Sequence, residues 1–416
     1  IYERIREEIR AGKGLKLAVA DGYKNAYSSI LDANITTLLT GIILATFGTG
    51  PIQGFATTLI IGILTSLFSA IFITRLLFEW RLGQKAKIAF GTNATNNILQ
   101  NPKFEFVKGR KKFYIISGII LLVGLGSLFT RGLNSGVDFT GGRSYIVRFD
   151  KPVEVTEISE ALGKKFVSEN GTEQPPQVKT FGSSNQVKIV TKYKIDSKED
   201  GVDGRIEAKL YEGLLPFYQN DISESEFITE LTSQKVEPTI ADDIKQAAVW
   251  AILFSLVVIF LYILIRFRKW QYSVGALLAM THDVLIVLSL FSIFYGILPF
   301  SLEIDQSFIA AVLTVVGYSI NDTVVVFDRI REYIGLHPKH DQERTINSAL
   351  NSTLSRTINT SLTTFVVLLV IFIFGGEMIR GFVFALMVGV VVGTYSSLGI
   401  ATPLMMDLSK KVKGKV

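Results

Sequence analysis

The stretch GYSINDTVVVFDRIRE, Gly317–Glu332, decides how the chain folds. It continues an apolar run that starts near Phe308, yet it places Asp322 inside that run. An ionised carboxylate at membrane depth costs about 3 kcal/mol, so it needs a partner, a water-filled cavity or a task. The nearest candidate partner is Arg356, at the start of the next apolar run. The pair is either a structural lock between two helices or a proton relay, and we favour the relay.

Composition points to a membrane protein. Of the 416 residues 48% are hydrophobic, and the mean hydropathy of +0.37 is typical of a chain with several membrane spans. Cys is absent, and three His without an HExxH motif predict no metal site and no cofactor. The net charge of +6 averages over dissimilar regions and does not indicate nucleic acid. The chain begins at Ile1, so we expect a fragment of a longer protein.

Apolar runs predict about eight membrane spans, preceded by an amphipathic surface helix over 1–29. The predicted spans are 35–47, 55–78, 113–129, 245–265, 273–295, 307–328, 357–374 and 380–405. The chain divides accordingly into 1–80 with two spans, a basic linker 81–112 containing GTNATNNILQNP, a span at 113–130, a hydrophilic region 135–243, a five-span bundle 244–408, and a basic tail 409–416.

Lys and Arg predict the orientation. The linker, Arg266–Lys269 and the C-terminal lysines fall on one side, which the positive-inside rule assigns to the cytoplasm. The hydrophilic region 135–243 is then periplasmic or extracytoplasmic, and the protein is a multi-pass protein of the inner (cytoplasmic) membrane.

The hydrophilic region predicts one α+β domain. Strands at 144–149, 177–181, 186–193 and 233–237 alternate with helices at 155–168 and 203–217. This βαββαβ order is that of the ferredoxin-like fold. It carries no nucleophile–base pair, so we expect binding there and no enzymatic chemistry.

Two parts of the chain resemble each other in order and spacing. The matching pairs are Ile1–Glu8 with Val326–Tyr333, Ser28–Gly41 with Thr353–Val366, and Phe47–Phe55 with Phe374–Phe382. Both copies start on the same side, which predicts a parallel repeat about a pseudo-two-fold axis along the membrane normal. In this register Asp32 lies next to the position of Arg356, which aligns with Leu31.

Several polar residues in apolar runs are further candidates. Four-residue steps predict polar stripes on two helices, either lining a wet interior or bonding helix to helix. His282 and Asp283 form either a second relay or a satisfied structural pair. The possible relay or lining residues are Asn321, His282, Asp283, Asn359, Thr360, Thr363, Asp32 and Thr36.

At this point the residues resemble a known family. GVDFTGG, KVEPTIADDI, THDV, GYSINDTVVVFDRIRE and RTINTSLTT are similar to SecF, whereas IYERIREE and LDANITTLLTG are similar to the C-terminal end of SecD. The chain therefore resembles the SecD/SecF family of protein-export membrane proteins, within the resistance-nodulation-division superfamily, with the end of a SecD-like half in 1–80 fused to a SecF-like half.

The resemblance implies a function. Members of this family assist the SecYEG translocon late in protein export by using the proton-motive force, and their outer domains hold the unfolded exported polypeptide. The family's membrane carboxylate and essential arginine fall on Asp322 and Arg356, and its second membrane Asp is expected upstream of Ile1. Glu237 departs from the family pattern, which has Gly there. Implied partners are SecYEG, the fused SecD half, YajC, YidC and membrane lipid.

Two other function classes stay open. One is a proton-coupled exporter of small molecules or lipids from the same superfamily, which would usually have larger outer regions. The other is a passive structural subunit of the translocon, in which the Asp322–Arg356 pair only joins helices.

Overall fold

The structure is a computed structural model that describes residues 1–48, 51–84, 88–90, 102–168, 171–197, 199 and 201–413. Most of the GTNATNNILQNP stretch and the last three residues of the predicted tail lie outside the described residues. Within them, eight helices are long and apolar enough to cross a membrane. This agrees with the predicted number of spans.

The helices before and after the hydrophilic region form one bundle, the membrane unit. They are α1 Tyr2–Arg10, α2 Leu15–Phe47, α3 Pro51–Phe68 with its continuation α4 Thr74–Gly83, α5 Phe106–Thr130, α10 Pro238–Phe267, α11 Trp270–Phe294, α12 Gln306–Leu336, α13 Gln342–Phe374, α14 Glu377–Ser396 and α15 Thr402–Lys413. A turn of π-helix at Ser69–Ile73 joins α3 to α4, and another at Ser397–Ala401 joins α14 to α15.

Helix α12 is the centre of the membrane unit. Of its most apolar 18-residue window 78% is buried, against 11% for α5 and for α13. Two neighbours approach it closely because they meet at glycine: a Cβ on Gly389 of α14 would lie 2.1 Å from Val315, and one on Gly317 would lie 3.2 Å from Thr40 of α2. The GYSINDT stretch therefore lies between α2 and α14.

The sheet unit, Gly142–Val236, lies at one end of the bundle. Its elements are β1 Gly142–Arg148, α7 Val155–Gly163, β2 Gln177–Phe181, β3 Ser183–Thr191, α8 Val202–Leu214, α9 Glu224–Glu230 and β4 Thr232–Val236, preceded by the short helix α6 Val137–Thr140. All strand pairs are antiparallel, in the order β2-β3-β1-β4. Apolar residues of β1, β3, α7 and α8 form a separate core.

Arg143 fastens β1 to the helical layer. Its side chain is almost fully buried and donates to Asp203 Oδ1 from Nε at 2.9 Å and from Nη2 at 2.6 Å. Its Nη1 donates to the carbonyl of Tyr193 at 2.9 Å. These hydrogen bonds lower the pKa of the Asp203 carboxyl, because they stabilise its charged form.

Backbone hydrogen bonds tie together the two segments of the membrane unit that lie beside the sheet unit. A parallel bridge pairs Ser135 with Ile304, where Gly136 N donates to Ile304 O and Ile304 N donates to Asn134 O, both at 2.8 Å. The first segment follows α5 and the second leads into α12. We call this end of the bundle the sheet end and the opposite end the far end.

The first 29 residues differ from the prediction of one surface helix. The structure has two helices, because Gly12 has a φ of +86° and the chain then passes through Gly14, where α2 is capped. Helix α2 begins at Leu15, well before the predicted span at 35, and continues unbroken to Phe47. The polar residues in the first half of α2 pack against α1 and α12. The helix therefore continues through a stretch that was too polar to be predicted as part of a membrane span.

Three helix boundaries also differ. Helix α5 begins at Phe106, inside the predicted linker 81–112, because Lys and Arg are good helix formers and Lys108 forms an ion pair with Glu105. Helix α10 begins at Pro238, inside the predicted region 135–243, since Pro fits the first turn of a helix. Helix α9 in the sheet unit had no counterpart in the sequence prediction.

Candidate functional site

Asp322 and Arg356 meet inside the membrane unit. Arg356 Nη1 donates to Asp322 Oδ1 at 3.0 Å, and Ser361 Oγ makes a longer bond of 3.4 Å to Oδ2. The Asp322 side chain is 2% exposed and that of Arg356 is 27% exposed. Ser361 in turn bonds Thr394 of α14 at 2.5 Å. The pair thus joins α12 to α13 and, through two hydroxyls, to α14.

The other stripe residues of α13 do not reach Asp322. Thr360 Oγ1 donates to the carbonyl of Arg356 at 2.8 Å, and Thr363 Oγ1 donates to the carbonyl of Asn359 at 2.9 Å. Such bonds satisfy each hydroxyl within its own helix. Asn359 and Thr363 are exposed on the bundle surface. The residue that does bond Asp322, Ser361, was not among the predicted ones.

A cavity of about 230 Å³ opens beside Arg356 towards the far end. It lies between α1, α2, α12 and α13, and charged and amide side chains line it, among them Arg4, Glu7, Asn34, Asn321, Arg329 and Arg356. Among the described residues Asn321 Oδ1 is a buried oxygen without a hydrogen-bond partner. An orphaned oxygen beside a polar cavity is a place where water binds. The ion pair therefore adjoins polar space on one side.

His282 and Asp283 lie on α11, and Asp283 contacts α12 at Ser319, about one turn before Asp322. Asp283 is fully buried and is held by three contacts: His282 Nδ1 at 2.8 Å, Ser319 Oγ at 2.6 Å and Ser396 Oγ at 2.7 Å. These donors come from α11, α12 and α14. The carboxylate thus ties three helices together.

The hydrogen bonds on the other side of His282 form a chain that ends at a backbone carbonyl. Nε2 lies 3.0 Å from Ser117 Oγ, which lies 3.0 Å from the hydroxyl of Tyr395, which donates to the carbonyl of Phe113 at 3.0 Å. Because the protons of Tyr395 and Ser117 are both used in this chain, Nε2 is the donor to Ser117.

Asp32 does not meet Arg356, which lies next to its position in the sequence repeat. It accepts from Arg266 Nε at 2.7 Å and from the Tyr262 hydroxyl at 2.9 Å, both on α10. Thr36, one turn further along α2, is buried and donates to the carbonyl of Ala33 at 2.8 Å. Asp32 is therefore part of a separate ion pair between α2 and α10 near the far end.

The two matching charged segments pair reciprocally at the far end. Arg4 Nη2 lies 2.7 Å from Glu332 Oε2, and Arg329 Nη2 lies 2.9 Å from Glu7 Oε1. In the sequence match Arg4 corresponds to Arg329 and Glu7 to Glu332. Each arginine thus binds the glutamate of the other segment, as surfaces do across a two-fold axis.

Among the described residues there is no group of three or more His, Asp or Glu that could hold a metal ion.

Comparison with known proteins identifies the family. The profile described as "Protein export membrane protein SecD/SecF, C-terminal" matches residues 1–83 and 219–411, and that of the SecD/SecF GG motif matches 126–153. The chain belongs to the SecD/SecF family. Its SecD/SecF resemblance, predicted from the motifs, is confirmed.

Curated SecD/SecF relatives differ in length. Protein translocase subunit SecF of Rhodothermus marinus is 45% identical over 76% of this chain and 97% of its own length. Protein translocase subunit SecDF of Thermus thermophilus is 35% identical over all of this chain, and that of Bacillus subtilis is 33% identical over 97% of it. The chain spans about half the length of these two SecDF relatives, 52% and 54% respectively.

Solved SecD/SecF structures have the same fold. The crystal structure of SecDF from Thermus thermophilus, described as a translocon-associated membrane protein, matches with a TM-score of 0.82 over 98% of this chain at 33% identity. A SecDF structure in a super-membrane-facing form matches with a TM-score of 0.72 at 34% identity over the whole chain. The chain is thus a multi-pass membrane protein with the SecDF arrangement of helices.

Proposed function

We propose that this chain is an auxiliary part of the Sec protein translocase that uses the proton-motive force to assist late steps of protein export. Its relatives are named translocase subunits, and one solved relative is described as translocon-associated. The observation that carries the proposal is the Asp322–Arg356 pair, buried between α12 and α13 and adjoining a polar cavity. The chain acts as a transport subunit and not as an enzyme.

The orientation follows from basic residues. Lys108, Arg110, Arg266, Lys269 and Lys410 lie near the far end of the bundle, at helix ends or in the turns between helices. Lys and Arg are retained on the cytoplasmic side of bacterial membranes. We therefore place the far end in the cytoplasm and the sheet unit on the periplasmic or extracytoplasmic side of the inner membrane.

The sheet unit is proposed to be a ferredoxin-like domain that holds exported polypeptide. Its β2-β3-β1-β4 order and antiparallel pairing support the βαββαβ assignment, with α9 as an addition before β4. The reciprocal pairs of Arg4 and Arg329 support the parallel repeat. SecYEG, YajC and YidC are the proposed partners, together with the unfolded polypeptide and membrane lipid.

Asp322 is the proposed proton-binding group. When ionised it is held by Arg356; when it binds a proton the attraction weakens, and α12 and α13 can repack. One charge moved through 100 mV supplies about 2.3 kcal/mol. Since about 1.4 kcal/mol is a factor of ten, this shifts a two-state equilibrium almost fiftyfold. We assign His282 and Asp283 to a fixed polar lining, because three donors already hold that carboxylate.

The test is Asp322→Asn in the full-length protein, reconstituted with the translocon in vesicles. We expect export without a gradient to be unchanged and the stimulation by a proton gradient to be lost. Asp242→Asn is the control, because Asp242 is an exposed carboxylate whose ion pair is with Lys245. Full gradient stimulation in Asp322→Asn would reduce the pair to a structural lock and favour a passive subunit of the translocon.

A further inference from the structure

One buried carboxylate bonds both the sheet end of α12 and the sheet unit. Asp138, in the GVDFTGG segment, is 6% exposed. Its Oδ2 accepts from the backbone N–H of Gln306, the first residue of α12, at 3.0 Å. Its Oδ1 accepts from Gln234 Nε2 of the edge strand β4 at 2.8 Å. A single side chain therefore links the sheet to the start of the helix that carries Asp322.

A second carboxylate caps the same helix. Asp305 is the N-cap residue of α12, and its Oδ1 accepts from Phe308 N at 2.8 Å. Acids are favourable at a helix N-terminus, but here two of them act on one helix end. The charged groups that face Asp305 are Asp138, Glu303 and Lys188. Lys188 is already paired with Glu303 at 2.8 Å, so it does little to offset the repulsion between Asp305 and Asp138.

The surroundings make Asp305 easy to protonate. Burial, together with the charges of Asp138 and Glu303, raises the pKa of Asp305 to about 6, although the bond from Phe308 N and the charge of Lys188 oppose the shift. Since this pKa lies above the ordinary Asp value, the ionised form strains the arrangement seen here. Below about pH 6 the proton removes that strain, and above it the strain returns.

We propose that Asp138 and Asp305 form a coupling junction between the sheet unit and α12, and that a proton bound by Asp305 from the sheet side tightens this junction. The proposal rests on the proposed orientation, which places the junction on the acidic side of the gradient. Asp138 is a positioning residue, because it holds the sheet against Gln306 at the start of α12. Gln306 lies 16 residues before Asp322 in the same helix. A proton at Asp305 then favours the coupled arrangement before any proton reaches Asp322.

The experiment measures a distance across the junction as a function of pH. This chain has no Cys, so spin labels can be placed at Asp221→Cys, exposed on the sheet unit, and at Met378→Cys, exposed at the sheet end of α14. Pulsed dipolar spectroscopy of the full-length protein in lipid nanodiscs gives the distance distribution from pH 5 to 8. We expect a narrow distribution at low pH and a broader one at high pH, with a midpoint near 6.

Two variants and one control decide the outcome. Asp305→Asn, neutral at every pH, should show the narrow low-pH distribution throughout. Asp138→Asn removes one repelling charge and should lower the midpoint. Asp341→Asn is the matched control, because Asp341 caps α13 at the far end through Arg344 N in the same way and is exposed. This control should titrate like the unaltered protein.

The proposal is overturned if the unaltered protein shows no pH dependence between 5 and 8, or if Asp305→Asn keeps the midpoint near 6. If Asp305→Asn fails to fold, an unchanged midpoint in Asp138→Asn overturns it equally. The relay fails independently: Asp322→Asn should abolish gradient-stimulated export yet leave this titration intact. Loss of one result without the other therefore separates the two proposals.

Discussion

Two buried carboxylates lie close together in the bundle, Asp322 on α12 and Asp283 against Ser319 of the same helix, and their surroundings differ. Asp283 is fully buried, and donors from three helices hold it at 2.6–2.8 Å. Asp322 has one close partner, Arg356, one long contact, and a polar cavity beside that partner. Burial is almost the same at the two sites. The two sites differ in how many close hydrogen-bond partners hold the carboxylate. Asp322 has fewer of them, so it is the better candidate for the proton-binding group.

The largest effect on stability is expected from Arg356→Ala. The substitution leaves the Asp322 charge buried without its cation, which costs about 3–5 kcal/mol in comparable buried pairs. Thermal unfolding in detergent should show a marked fall in Tm. The double variant Asp322→Asn with Arg356→Ala should recover most of it, because no charge is then stranded. No recovery would mean that Arg356 stabilises the bundle through packing and not through the pair.

Asp283→Asn tests the other side of the comparison. It weakens bonds from Ser319 and Ser396, and hydrogen bonds to charged groups contribute about 1.5–3 kcal/mol. We expect a lower Tm with gradient-stimulated export retained by the folded fraction. For Asp322→Asn we expect the reverse, a loss of gradient-stimulated export with little change in Tm. Loss of gradient stimulation in a stably folded Asp283→Asn would make this second acid part of the relay.

Gly389→Val strains the contact that keeps α14 within reach of Asp283 and of Ser361, the hydroxyl partner of Asp322. Gly389 lets α14 approach Val315, so that Ser396 reaches Asp283 and Thr394 reaches Ser361. Overpacking of this kind typically costs about 1–3 kcal/mol. Gly126→Val is the control, since a Cβ there meets open space. Equal unfolding temperatures for the two variants would show that the close approach of α14 is dispensable.

The smallest effect is expected at Thr363, on the exposed face of α13. Its hydroxyl bonds only carbonyls of its own helix, those of Asn359 and Thr360. Thr363→Ala should therefore leave both the Tm and the gradient stimulation unchanged. A loss of stimulation would place this face of α13 in the proton path.

Local pattern predicted the pair of Asp322 and Arg356, because a charge inside an apolar run is conspicuous and its partner lies one helix away. The Ser residues around Asp283 gave no such signal, since serine is common in membrane helices. The Asp32–Arg266 pair joins residues 234 positions apart, and nothing in either segment points to the other. Contacts of that range depend on how whole helices are arranged.

The missed helix α9 did have a signal. Ser223 followed by Glu226 is a capping-box pattern, and Ser223 Oγ accepts from Glu226 N at 3.3 Å. The role of Asp138 could not be read from the sequence, because the hydrogen bonds from Gln306 and Gln234 arise only when three distant segments meet. Spans and strands follow from composition, whereas junctions follow from packing.

The reciprocal bonds of Arg4 and Arg329 have an evolutionary consequence. Where two segments of matching sequence bind each other, a substitution in one leaves a charge without its partner in the other. Reversing the sign at Glu7 alone would repel Arg329, while a compensating exchange at position 329 would restore the attraction. We therefore expect substitutions in the two segments to be correlated. In a homodimer one substitution changes both partners at once, whereas here each segment can mutate separately.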